Sequence, residues 1–108
     1  MIKRTNEYNK LVRDWIPGII SESGARPHTR VLGGAAYSEA LLQKLVEEAQ
    51  ELLENPGYEE RADVAEVLRA IDRVFKLDAD EIEKVRQDKA ASRGGFQDGI
   101  FLESVDED

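Results

Sequence analysis

The chain has 108 residues and a mass of 12.2 kDa, which fits a single domain over 1–108 and argues against a two-lobed enzyme with a large cleft. Fifteen Lys and Arg stand against 23 Asp and Glu, a formal net charge of -8, which disfavours general electrostatic binding to long nucleic acid. Cys is absent and His28 is the only histidine, so disulfides, thiolate chemistry and a multi-histidine metal site within one chain are excluded and oxygen is the abundant ligand. No apolar core follows the charged start Met1 to Glu7, and nowhere do about 18 apolar residues run together; the expectation is no signal peptide, no membrane span and a cytoplasmic location.

In chain order, Leu11-Val12-Arg13-Asp14-Trp15-Ile16 leads into Pro17, which suits a first helical turn. Gly24 would end that helix, placing it over about 14–23. After the turn-like Ser23 to Pro27, residues Thr29 to Leu32 before Gly33-Gly34 read as a very short strand. Ser38 is a good N-cap for a helix to about 54, and Asn55-Pro56-Gly57 closes it before a further helix over about 59–76. Asp78 with Glu81 resembles a capping arrangement for a fourth helix to about 91, ended by Gly94-Gly95. Phe96 to Leu102 is the expected second strand, pairing with 29–32, before an acidic, frayed end at Asp106 to Asp108. The fold expected is mostly α: four helices around a central helical hairpin, with one short two-stranded element. With Leu42, Val46 and Leu53 as apolar stripes, oligomerisation is expected too.

The central hairpin concentrates acids at the margin of its apolar face. At ~100° per residue, Leu41, Leu42, Leu45, Val46, Ala49, Leu52 and Leu53 cover an arc of roughly 140°, with Glu48 only about 20° outside it. Glu51 and Glu47 lie about 80° and 120° outside the same arc. On the next helix Val64, Val67, Leu68, Ile71, Val74 and Phe75 define the arc; Glu60 projects inside it and Asp63 about 20° beyond its edge. A short connection makes the helices antiparallel, which sets Glu48 and Glu51 opposite positions 62–65. Two i, i+3 carboxylate pairs, Glu48 with Glu51 and Glu60 with Asp63, then share one margin. Their repulsion would be relieved by a hard divalent cation, Mg²⁺ above zinc, because Mg²⁺ takes oxygen ligands and keeps waters for substrate phosphates. The plainer reading is a solvated acidic face, which suffices for Glu54 and Glu59.

The segments Lys44 to Leu52 and Glu59 to Val67 resemble the all-α nucleoside triphosphate pyrophosphohydrolases of the MazG and phosphoribosyl-ATP pyrophosphatase superfamily, whose signature is ExxE followed by ExxD. Here ExxE is Glu48 to Glu51 and ExxD is Glu60 to Asp63. Tyr8-Asn-Lys-Leu-Val-Arg-Asp-Trp-Ile-Pro17 looks like the KLVRDxIP start of the small MazG-like subgroup, and Lys89 through Arg93 to Phe96 like its C-terminal end. Trp15 stands where a Lys is common.

The resemblance implies hydrolysis of a nucleoside triphosphate to the monophosphate and pyrophosphate, of the house-cleaning kind, with Mg²⁺, or Mn²⁺ in its place, held by Glu48, Glu51, Glu60 and Asp63. Glu47, beside the cluster, is then the candidate to position or deprotonate water. Lys10, Arg13, Lys89 and Arg93 are candidates for the phosphates; the competing reading of each is a surface ion pair. The limited core and the apolar stripes predict a homodimer or a dimer of dimers. Phosphoribosyl-ATP pyrophosphatase activity and a non-catalytic helical interaction module are the alternatives. His28 reads as a loop residue, Trp15 as a core or interface anchor, and the two Gly-Gly pairs as chain turns.

Overall fold

In the computed structural model residues 4–107 are described, and all their regular structure is helical: α1 (Ile16–Glu22), α2 (Gly34–Glu54), α3 (Tyr58–Val74) and α4 (Ala79–Arg93). Met1, Ile2, Lys3 and Asp108, the last residue of the acidic end, lie outside the described residues. The chain divides into two compact units, Met1–Phe75 and Lys76–Asp108.

In the first unit α2 and α3 pack as the expected hairpin. The turn between them is tight: the Gly57 N–H donates to Asn55 O at 2.8 Å, and Gly57 O then accepts from Arg61 N at 3.0 Å, the first bond of α3. Leu41 and Ile71 are the buried apolar side chains and Glu48 is buried with them. Leu45, Leu52, Val64, Val67 and Val74 are half-buried along the same face. Leu42, Val46 and Leu53 are exposed, so the covered stripe of α2 is narrower than its apolar arc.

Two expectations are corrected here. Residues 29–32 and 96–102 form no strand; the first run is only four residues long and stops at Gly33-Gly34, and Val31 is wholly exposed. Ser38 is not an N-cap. α2 begins five residues earlier than a Ser38 cap would set it, with Gly33 in extended backbone at its N-cap, because Ala35 and Ala36 extend a helix readily. Ser38 Oγ instead donates back to Gly34 O at 3.3 Å, as a serine inside a helix does. α1 is shorter than expected, with Pro17 in its first turn and Gly24 in the left-handed region (φ 95°) just past its end.

In the second unit the cap is as read from the sequence: Asp78 accepts the Glu81 N–H at 3.0 Å, and α4 runs to Arg93 before Gly94 turns the chain at φ 83°. Among the described residues no helix is long and apolar enough to cross a membrane.

Candidate metal centre

Three carboxylates from the two motifs meet across the hairpin. Glu48 and Glu51 stand one turn apart on α2, and Asp63 faces them from α3; one oxygen of each lies within 4.8 Å of the others. The antiparallel register produces this meeting, because positions equally far from the Asn55–Gly57 turn come level.

Glu48 is the most constrained of the three. Its residue is 7 % exposed, and Lys44 Nζ lies 3.2 Å from its Oε1. Its other oxygen, Oε2, is buried without a hydrogen-bond partner. A desolvated carboxylate oxygen with no donor is costly, on the order of 1–3 kcal/mol or more, which is the imbalance a cation removes. Glu51 senses the same shortage. Its carboxyl is held above its ordinary range by Glu48, first through direct side-chain contact and then through charge, with burial and the Glu47 charge adding to the effect.

Glu47 points to a different set of partners. Its Oε1 accepts from Lys10 Nζ at 3.0 Å and from Lys44 Nζ at 3.3 Å. Partial burial pushes its carboxyl up, but the Lys10 hydrogen bond and the two lysine charges outweigh burial and hold it below the usual range. Lys10 is raised in return, mainly by that hydrogen bond. Arg13 Nη2 contacts Asp63 Oδ1 at 2.8 Å. The surface pairs expected as the plain alternative for Lys10 and Arg13 therefore form, Arg13 on Asp63 of the trio and Lys10 on Glu47 beside it.

Glu60 stands apart from the trio. It is half-buried, and its Oε1 lies against the turn, 2.8 Å from where a Cβ on Gly57 would sit. In the first turn of α3 a side chain leans toward the helix N-terminus, so Glu60 folds back over the loop instead of across to α2. The acid that projected into an apolar arc is therefore half-buried, and the buried one is Glu48. Lys89 and Arg93 are exposed on α4 in the second unit, and neither side chain forms an ion pair among the described residues. Trp15 is 83 % exposed, so it is no core residue within the described chain, and His28 lies in a loop.

Sequence reasoning overlooked Lys44. Its side chain is half-buried and bridges Glu47 and Glu48; the i, i+3 and i, i+4 spacing to those two acids was the available signal. Elsewhere acids pair locally, as when Glu83 takes both Arg86 Nε and Nη2 on α4 at 2.9 and 2.6 Å. Only at the hairpin does a buried carboxylate oxygen among the described residues lack a partner.

No protein-family profile, curated protein or solved structure matches the chain.

Proposed function

We propose that the chain is a metal-dependent nucleoside triphosphate pyrophosphohydrolase, releasing a nucleoside monophosphate and pyrophosphate, of the house-cleaning kind. The observation that carries this reading is the convergence of Glu48, Glu51 and Asp63, with Glu48 Oε2 buried and lacking a donor. An all-oxygen, anionic donor set fits a hard cation, so Glu48, Glu51 and Asp63 would hold Mg²⁺, or Mn²⁺ in its place. Bound there, the ion would offset the charge of the triphosphate and polarise its phosphoryl oxygens.

The chain's own residues supply the rest of the proposed chemistry. Glu47, tethered by Lys10 and Lys44 beside the trio, stays an acceptor and orients the water that adds across the α–β anhydride. Lys10 and Arg13 lie next to the acids and offer charge to the phosphates, Arg13 through a fork of donors. Lys89 and Arg93 remain candidates for the same task. The exposed Leu42, Val46 and Leu53 support a homodimer or a dimer of dimers.

The test is pyrophosphate release from a panel of nucleoside triphosphates with Mg²⁺. Glu48→Gln and Asp63→Asn should each cut turnover by at least ~100-fold, the upper end of what loss of support around a metal costs. Activity untouched by both substitutions would overturn the metal assignment. No release from any nucleotide would favour the helical interaction module.

A further inference from the structure

The segment before α1 brings one cation onto the acid cluster and a second onto Glu47 beside it. Residues 4–15 contain no helix or strand, and their side chains reach the hairpin in two ion pairs, Lys10 on Glu47 at 3.0 Å and Arg13 on Asp63 at 2.8 Å. Asn9 sits at φ 47°, a left-handed conformation that Asn tolerates better than most residues, and it turns the chain just ahead of Lys10.

Asp63 therefore has two claimants. We infer that Arg13 is an exchangeable counter-ion: its guanidinium occupies Asp63 while the trio holds no cation, and a divalent cation takes Asp63 over and frees Arg13. The inference rests on the metal reading of the trio. Three features of the contact carry it. Arg13 engages Asp63 through one nitrogen and one oxygen, without the second parallel bond that makes an Arg–carboxylate pair hard to open. The two side chains are 56 % and 39 % exposed, so water can replace either partner and the pair is weak. Arg13 also satisfies Asp63 alone, leaving Glu48 Oε2 unpartnered and the Glu51 carboxylate within 4.8 Å of the other two without a cation of its own. A dication relieves all three acids together, whereas Arg13 relieves one. Exchange also leaves a guanidinium free beside the trio, where triphosphate oxygens would be.

Competition predicts an uncommon sign: removing Arg13 should tighten cation binding. The alternative, in which Asp63 keeps Arg13 on Oδ1 and offers only Oδ2 to the ion, predicts looser binding, because Arg13 would then be orienting the ligand. The experiment is calorimetric titration of the full chain with MnCl₂ in the absence of nucleotide, comparing wild type, Arg13→Gln, Arg61→Gln and Glu48→Gln. Arg61 is exposed on α3 two positions from Asp63 and controls for loss of a nearby positive charge. Arg13→Gln is expected to bind Mn²⁺ about two- to five-fold more tightly, the range set by a surface ion pair. Arg61→Gln should match wild type, and Glu48→Gln should bind more weakly. Equal or weaker binding by Arg13→Gln, or an equal gain in Arg61→Gln, overturns the exchange while leaving the metal site standing. Wild type that binds no Mn²⁺ overturns the metal reading and the exchange with it.

Discussion

A carboxylate that is nearly buried and half-satisfied sets what its neighbours can do, and Glu48 is in that position: Lys44 serves Oε1, Oε2 has no donor, and the carboxylates of Glu51 and Asp63 stand close by. Glu51 carries the cost, since its carboxyl is raised by Glu48. The sign follows from linkage. A raised carboxyl destabilises the fold once pH rises above its ordinary value, so the penalty is complete at neutral pH and absent in acid. Glu51→Gln should therefore raise the Tm of the cation-free protein at pH 7, leave it unchanged near pH 3, and abolish stabilisation by added Mg²⁺. A thermal melt in chelator against one in Mg²⁺ reads all three outcomes, and a lower Tm at pH 7 in chelator would show that Glu51 is not repelled. The Lys10–Glu47 pair has the opposite sign. Glu47 is lowered, so its stabilisation is present above the ordinary carboxylate range and is lost as pH falls through its folded value. Lys10→Met should cost about 0.5 kcal/mol at pH 7, because both partners are partly exposed, and progressively less as pH falls through the folded value of Glu47. If Glu47 orients the attacking water, Glu47→Gln should slow turnover by about 10²- to 10⁴-fold while leaving Mn²⁺ affinity near wild type. A loss of affinity as large as that of Glu48→Gln would make Glu47 a ligand instead.

At the level of single elements, local chemistry was legible wherever one residue type answers one backbone need. Asp78 caps α4, Pro17 opens α1, Gly24 and Gly94 follow helix ends, and Asn55-Pro56-Gly57 makes the hairpin turn. The Ser38 cap failed because side chain and backbone compete: the propensity of Ala35 and Ala36 carried the helix back to Gly34, and Ser38 became an interior residue. The two versions differ in a measurable way. An N-cap Ser→Ala costs about 1 kcal/mol, whereas Ser38→Ala inside α2 should be neutral or slightly stabilising, since Ala is the better helix former. Asp78→Ala should cost about 1 kcal/mol in the same chemical denaturation experiment. Within the site, spacing on the hairpin sufficed to bring Glu48, Glu51 and Asp63 together. It misplaced Glu60, because a helical wheel has no ends and the first turn of α3 directs that side chain over Gly57. It also had no means of pairing Arg13 with Asp63, a contact across fifty positions that depends on how an irregular segment lies on the helices.

For the molecule as a whole, the question is what stabilises a hairpin whose described buried apolar side chains are Leu41 and Ile71. Two helices joined by a tight turn bury too little to fold on so small a core, and α2 presents Leu42, Val46 and Leu53 to solvent at 44, 66 and 77 % exposure. A second hairpin laid on that stripe would complete a bundle. The chain charge opposes this, because each copy brings a formal net charge of -8. An association driven by apolar burial and resisted by like charge tightens with salt, since screening removes the repulsion and leaves the apolar contribution intact. Sedimentation equilibrium of the wild type is thus expected to give a dimer or larger whose dissociation constant falls between low and moderate ionic strength. Val46→Glu, which would bury an unpaired carboxylate in the interface, should weaken association by at least ~100-fold and lower the Tm with it. A wild type that sediments as a 12.2 kDa monomer at every salt concentration, with a Tm indifferent to Val46→Glu, would mean that the exposed stripe of α2 carries no partner copy.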